Sequence, residues 1–335
     1  MLQSAHMQFS SWNVNGLRAV EKKGFFPEYV ASGEYDVVFL METKSEVSQL
    51  SDAVLHVPAY SFTLQPSTYK KGYAGVGAYV RNYLSPVVET GFSHESNLHD
   101  EERVMTVSLV HPKHGRIAIT GAYFPNGARG SIKRGGDDVA VALVSAAVLP
   151  PLEKGRIEEG FEKLITMDSP DFGTNSSNPS LPSPFLGEES RKTSSDFSVN
   201  LDYKLAFFGE FHKHMTNLQK AHDHVFVCGD INIAHHPIDL ARPESNKKTI
   251  GFLPIERAQL DEWHKDGWVD IWRELHGDEV VYSYWDVISG ARQRNVGWRI
   301  DAWWCHKDSL DIIKSVSYET EQMGSDHCPV VITLK

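Results

Sequence analysis

Cysteine is scarce in this sequence, and the cysteines it has do not pair. Cys228, Cys305 and Cys328 show no paired spacing, which excludes a disulfide scaffold and fits a reducing compartment. No apolar run reaches the roughly 18 residues that suggest a membrane-spanning helix. The start, MLQSAHMQFSSWNVNG, lacks a basic segment followed by an apolar one, so no secretory signal is read there. Basic charge is in deficit: 33 Lys and Arg face 44 Asp and Glu, a net of −11. Taken alone, that argues against nucleic acid, because phosphate binders usually display a basic surface. No internal repeat is visible. What is present is apolar material for a large core, 41% of 335 residues. The expectation is a soluble intracellular protein, cytoplasmic if bacterial, nuclear or organellar if eukaryotic, with no membrane partner.

Short β-branched or aromatic runs bounded by Gly, Asn, Asp or Pro recur along the chain. MQFSSWNV, YDVVFLMET, GVGAYVR, VMTVSLV, GRIAITGAYF, HVFVCGD, RIDAWWC and PVVITL each predict a strand. Between them, residues 203–220 read as an amphipathic helix. Residues 257–275 repeat apolar side chains at three- and four-residue steps, broken at Gly267. Two packed sheets with helices outside are predicted, an α/β layered architecture. The stripe Trp263, Trp268, Trp272 is read as core.

Residues 131–200 do not fit this pattern. Their first half predicts one or two helices; their second half is rich in Ser, Pro, Asn and Gly and reads as a long loop or disordered. Seven Lys/Arg face eleven Asp/Glu there. Over a third of the net negative charge therefore sits in this stretch, and the body is closer to neutral. The reading is one catalytic domain over 7–335 carrying an insertion at 131–200.

Polar clusters stand at the predicted strand ends. They hold Asn13 and Asn15; Glu42; Tyr123, Asn126 and Arg129; Asp230 and Asn232; and Asn295, Asp301, Asp326 and His327. In extended backbone Asp230 and Asn232 would share a face; taken singly, the pair also reads as turn chemistry. Oxygen donors without clustered Cys or His favour Mg²⁺, with Mn²⁺ as substitute, over Zn²⁺. The pairs His212/His214, His222/His224 and His235/His236 lack accompanying cysteines and are not read as a zinc site. An Asp beside a His can orient the imidazole and stabilise its charged form. Together these parts describe metal-assisted hydrolysis of a phosphate ester. Arg292, Arg294 and Arg299 read equally as a solvated face or as phosphate contacts.

Six motifs in order carry a resemblance. WNVNGLR, ETK, YFPNG, GDINIAH, NVGWRID and GSDHCPV resemble the exonuclease III family of apurinic/apyrimidinic (AP) endonucleases, within the endonuclease/exonuclease/phosphatase superfamily. Secondary matches lie at 72–81, 238–243 and 251–263. ETK and GDxN are shared across the superfamily, whereas NVGWRID is far more specific to the DNA-repair branch. The resemblance implies a four-layered α/β sandwich, two packed mixed β-sheets flanked by helices, with strand ends converging on one edge. It implies that Glu42 and Asn15 hold Mg²⁺, with Asp326 supporting its water shell. Asp230 would activate the attacking water, Asn232 position it, and Asn13 fix the Asp230 carboxylate. Asp230 is the favoured base, although coupled titration with His327 could spread the role. His327, oriented by Asp301, would meet a phosphate oxygen, and Tyr123 and Asn126 would grip the same phosphate. Tyr284, Trp298 and Ile300 would wall a pocket for a flipped, baseless deoxyribose, and Arg129 and Ile288 would probe the kinked duplex.

The implied activity is cleavage 5′ to an abasic site in double-stranded DNA, leaving a 3′-hydroxyl. Action on blocked 3′ ends and a 3′→5′ exonuclease activity are companions. A monomer is expected, and no regulatory extension is expected ahead of Asn13. Three departures stand out: Met41 replaces the usual Gln before Glu42, Tyr284 replaces Phe or Trp, and the insertion follows the Tyr123 loop. The insertion is read as a lid, a linker or an arm for an unknown partner. The alternatives are another superfamily phosphoesterase, such as a nonspecific nuclease or inositol phosphatase, and an inactive DNA-binding relative.

Overall fold

The computed structural model describes residues 6–32, 34–68, 70–127 and 194–335, with side chains in the last segment from 201 onward. Twelve strands form along it: β1 Gln8–Asn13, β2 Val37–Met41, β3 Tyr60–Gln65, β4 Val76–Arg81, β5 Val87–Thr90, β6 Val104–His111, β7 Gly115–Tyr123, β8 His224–Asp230, β9 Trp268–Asp270, β10 Asp301–His306, β11 Ile313–Tyr318 and β12 Val330–Leu334. The α-helices are α1 Leu17–Lys22, α2 Glu28–Ala31, α3 Asp52–Leu55, α4 Ser194–Ala221, α5 Pro254–Lys265 and α6 Ile271–His276. No described helix is long and apolar enough to cross a membrane.

The strands make two six-stranded sheets, in the orders β11-β12-β1-β2-β4-β3 and β5-β6-β7-β8-β10-β9. Both are mixed: β1 and β2 pair in parallel, as do β7 and β8, among antiparallel neighbours. The central strands are buried on both faces, so their near-continuous apolar runs are required. From β2, Val37, Phe39 and Met41 enter the core between the sheets, and Val38 and Leu40 pack outward under the short helices α1–α3. Beyond the second sheet, Phe124, Phe207, Phe208, Phe211, Trp263 and Trp304 form an aromatic layer beneath α4 and α5. Helix, sheet, sheet, helix: the four layers expected are the four layers found.

Two helical stretches differ from their sequence pattern. The stretch 257–275 is not one broken helix. Gly267 takes φ 88°, and Trp268–Asp270 pairs with β10 as a strand before α6 begins. The three tryptophans are buried as expected, but Trp263 and Trp268 lie in the outer aromatic layer and Trp272 between the sheets. The helix read from 203 begins at Ser194, so the end of the Ser- and Pro-rich stretch is helical. The rest of the insertion, with Arg129 just before it, lies outside the described residues.

Two glycines set how closely the layers meet. A Cβ on Gly121 would stand 2.2 Å from a Phe39 ring carbon of the facing sheet. Gly229, at φ 133°, precedes Asp230; a Cβ there would stand 1.9 Å from the Ala122 carbonyl oxygen of β7. Both contacts sit directly beneath the strand ends that carry the polar clusters. Gly229→Ala is expected to cost about 2–4 kcal/mol, from backbone strain and overpacking together. Urea unfolding measures it; a loss below about 0.5 kcal/mol, the range of a neutral surface change, would contradict this account of the strand contact.

Candidate active site

Strand direction gathers the clusters. β1, β2, β7 and β8 end at one edge of the sandwich. β12 runs antiparallel to β1, and β10 antiparallel to β8, so both begin at that edge. In register, Tyr123 lies beside Asp230 and Asp230 beside Asp301. Asn13 ends β1, Glu42 follows β2, and His327 lies shortly before β12.

The centre is a buried trio. His327 Nδ1 bonds Asp301 Oδ2 at 2.7 Å, and His327 Nε2 lies 4.0 Å from Asp230 Oδ2. The second separation is too long for a hydrogen bond, which leaves Nε2 directed at a gap beside Asp230. All three residues are at most 4% exposed. Their ligand atoms lie close enough together that the trio could hold a metal ion. The short His327–Asp301 bond already commits two of those atoms to each other.

Burial alone would lower the His327 pKa; the charge and hydrogen bond of Asp301, then Asp230 and Asp326, overcome it and push it up to about 10. The surrounding carboxylates therefore favour the imidazolium form of the ring. The Asp230 carboxyl is pushed well above the usual carboxylate range, first by burial and then by the charge of Asp301, with His327 and the Asn13 amide opposing. A carboxylate at a strand mouth thus acquires a proton affinity far above its ordinary one.

Asn13 ties the two sheets together at this point. Its Nδ2 donates to Asp230 Oδ2 at 2.9 Å and to Glu42 Oε2 at 3.1 Å, and its Oδ1 accepts from the Asn15 backbone N–H. Asp230 and Asn232 do not share a face by strand alternation, because the strand ends at Asp230 and Asn232 takes φ 56°. They meet by an Asx turn: the Asn232 backbone N–H donates to Asp230 Oδ1 at 3.0 Å. The Asn232 amide donates to the Phe124 carbonyl at 2.9 Å. Turn chemistry and site chemistry are one arrangement here.

A second oxygen cluster adjoins the trio. Lys44 Nζ lies 2.8 Å from Glu42 Oε1 and 2.5 Å from Asn15 Oδ1. An ammonium shared by a carboxylate and an amide oxygen marks a place where cationic charge is favoured. The Asn15 amide nitrogen donates to both oxygens of Asp326, at 2.9 and 3.1 Å, which turns its own oxygen toward that place. A carboxylate, an amide oxygen and a nearby second carboxylate suit a hard divalent cation. Met41 does not enter this shell. Its side chain is fully buried in the core between the sheets, with Sδ 3.8 Å from Ser11 Oγ, because β2 alternation points it away from Glu42.

Tyr123 is 7% exposed, and burial, with Glu42 next, holds its phenol well above the usual range. It remains a hydroxyl donor. Tyr284, Trp298 and Ile300 cluster with Ala234, Leu240 and Phe252 in an apolar patch, and the Tyr284 ring lies 4.8 Å from the His327 ring. Asn126 is exposed at the rim and Ile288 is 93% exposed on the loop after Trp285.

Some residues differ from expectation. Arg299 is buried and paired with Asp239 and Asp270, both at 2.7 Å, so it is neither a solvated face nor a phosphate contact. Arg292 donates to the carbonyls of Thr320, Gln322 and Ser325 and fixes the loop that leads to His327. Asn295 accepts from the Trp285 indole at 3.1 Å and is structural. Ser283 was not foreseen. Its hydroxyl donates to Asp301 Oδ2 at 2.7 Å and accepts from the Ile300 and Asp301 backbone N–H groups. A serine between two tyrosines carries no sequence signal for that role.

Asp301→Asn removes the partner of a buried charge and is expected to cost about 3–5 kcal/mol near neutral pH. The His327 pKa is raised by folding, so this stabilisation is complete below its ordinary 6.5 and is lost as pH rises through about 10. The gap between wild type and variant, read by urea unfolding in EDTA, should therefore shrink toward alkaline pH. A gap that stays constant would contradict the imidazolium.

The arrangement agrees with what the chain is similar to. A family model described as the endonuclease/exonuclease/phosphatase family matches residues 10–327. An exodeoxyribonuclease of Bacillus subtilis is 28% identical, over 98% of this chain and 99% of its own length. A DNA-(apurinic or apyrimidinic site) endonuclease of Dictyostelium discoideum is 27% identical, over 99% of this chain and 72% of its own. Among solved structures, an AP endonuclease from Leishmania major superposes with a TM-score of 0.68 at 23% identity, covering 100% of this chain and 89% of its own. With the family model matching nearly the whole chain, one conclusion follows: this chain belongs to the endonuclease/exonuclease/phosphatase family.

Proposed function

We propose that this protein is a Mg²⁺-dependent AP endonuclease of DNA base excision repair, hydrolysing the phosphodiester 5′ to an abasic site and leaving a 3′-hydroxyl. The observation that carries the reading is the apolar patch of Tyr284, Trp298 and Ile300, whose Tyr284 ring lies against the buried His327. A sugar without its base needs a small apolar recess beside the phosphate machinery, and a missing base lowers the cost of unstacking. The relatives named for abasic-site and exodeoxyribonuclease activity support the same substrate class.

Glu42 and Asn15 would hold the cation, with Asp326 beside them; when bound, it supplies Lewis-acid charge to the phosphate. Asp230 takes the proton of the attacking water. Burial gives it a proton affinity better matched to that task than an ordinary carboxylate has. The Asn232 amide, oriented by its N–H donation to the Phe124 carbonyl, accepts a hydrogen bond from the second proton of that water at its oxygen. The His327 Nε2–H donates to a phosphate oxygen in the gap beside Asp230, and its positive charge meets the charge gathering there. Asp301 and Ser283 keep the ring in place. Tyr123 and Asn126 donate to the same phosphate from the other strand end. Ile288, and Arg129 outside the described residues, would contact the duplex around the flipped sugar. Removal of 3′-blocking groups and 3′→5′ exonuclease action use the same atoms on a chain end.

A duplex carrying one tetrahydrofuran abasic analogue tests this. Incision on its 5′ side is expected with Mg²⁺, absent with EDTA, and lowered about 10²–10⁴-fold in Asp230→Ala, the usual worth of a general base. An intact duplex alongside a hydrolysed phosphoinositide or an unspecifically degraded duplex would replace this reading with a different phosphoesterase.

A further inference from the structure

Lys204 lies on α4, in a helix whose neighbouring residues Phe207, Phe208 and Phe211 pack into the outer aromatic layer. Its side chain is 0% exposed. An ammonium has three protons, and three acceptors meet this one: Glu256 Oε1 at 2.6 Å, the Asn232 carbonyl at 2.8 Å and the Asn126 carbonyl at 3.3 Å. Glu256, on α5, is also 0% exposed. Its other oxygen accepts from the backbone N–H groups of Gly251, at 2.7 Å, and Leu253, at 3.0 Å.

One ion pair thus reaches three loops. Asn126 belongs to the turn after β7, Asn232 to the turn after β8, and Gly251–Leu253 flanks Phe252, which walls the apolar patch. The loops touch elsewhere, through Asn232 Nδ2 to the Phe124 carbonyl and the Ala234 N–H to the Gly251 carbonyl. The ion pair bonds to all three. At Gly127, φ 73°, a Cβ would stand 3.0 Å from Lys204 Cδ, so the backbone of the Asn126 turn lies against the lysine stem. Burying a charged pair is costly, and a well-packed apolar pair of similar volume is often as stable. The docking of α4 does not require it, because the phenylalanines already supply that contact.

We propose that Lys204, held by Glu256, is a positioning residue for catalysis. It sets the spacing between the turn that grips the phosphate, the turn that positions the water and the loop that walls the sugar pocket. The proposal rests on the roles given above to Asn126 and Asn232. Lys204 touches no substrate; it acts through backbone carbonyls, and a misplacement of about 1 Å at a reacting group can cost on the order of 100-fold in rate.

The test uses Lys204→Met/Glu256→Gln, which removes both charges together and strands neither. Three quantities are read: single-turnover incision of the tetrahydrofuran duplex at saturating enzyme, affinity for that duplex in EDTA, and melting temperature. The expected result is a rate lowered about tenfold or more, with affinity changed less than about threefold and melting within a few degrees of wild type. A folded variant whose rate falls less than about fivefold overturns the proposal, as does a rate that falls only in step with affinity. If the double variant does not fold, Lys204→Gln, which keeps a donor for Asn232, is judged by the same thresholds. Each rate is also taken on a 3′-recessed duplex. Wild type active there and inactive at the abasic analogue would defeat the abasic-site reading while the ratio still tests Lys204. Wild type inactive on both would defeat both.

Discussion

Asp230 and Asp301 face one another across adjacent strands, both buried, at the same level of the sheet. Like charges so placed cannot both stand bare, and the surrounding edge is organised to answer them. The His327 imidazolium stands within 2.7 Å of one carboxylate and 4.0 Å of the other. The Asn13 amide donates to Asp230 Oδ2 and the Ser283 hydroxyl to Asp301 Oδ2, the same oxygens that face the ring. The histidine is fixed in turn by the Trp12 indole, which donates to its carbonyl at 3.2 Å.

The two sheets divide the work. The first contributes Asn13, Glu42 and the approach to His327; the second contributes Tyr123, Asp230 and Asp301. No single sheet holds a complete site, so its geometry depends on how the sheets pack. That packing is tight where it matters, with Phe39 filling the space that Gly121 leaves open. Donors and charges are therefore set before any substrate arrives, the condition under which electrostatic stabilisation is most effective. The Arg299–Asp239–Asp270 network and the Arg292 contacts hold the NVGWRID segment and the His327 loop against this frame.

Much of this was legible from residues alone. The strands that end in Asp, Asn or Tyr are long, doubly buried and bounded by turn residues, so their runs and their polar ends were plain. β3, only half-buried past Tyr60, β5, four residues and mostly exposed, and β11, IKSVSY, lack a continuous apolar run and are not legible as strands. β9 hid within a stripe whose tryptophans recur at helical spacing, and only the backbone at Gly267 shows the break. Ser283 and Lys204 were invisible for another reason. Their partners lie up to 78 residues away in sequence, and a helical lysine or a serine among tyrosines looks like surface until the fold buries it. Asn232 was named for the right neighbourhood by the wrong geometry: an Asx turn, not strand alternation, brings it to Asp230.

The charge state of His327 is where the account is most exposed. Imidazole ¹⁵N resonances, assigned by comparison with His327→Gln in EDTA, report whether both ring nitrogens carry protons near neutral pH. A doubly protonated ring that persists well into alkaline pH is expected, in line with a pKa pushed up to about 10. A singly protonated ring at neutral pH would mean that the buried carboxylates are balanced in some other way. The site would then lack the positive charge on which this mechanism depends.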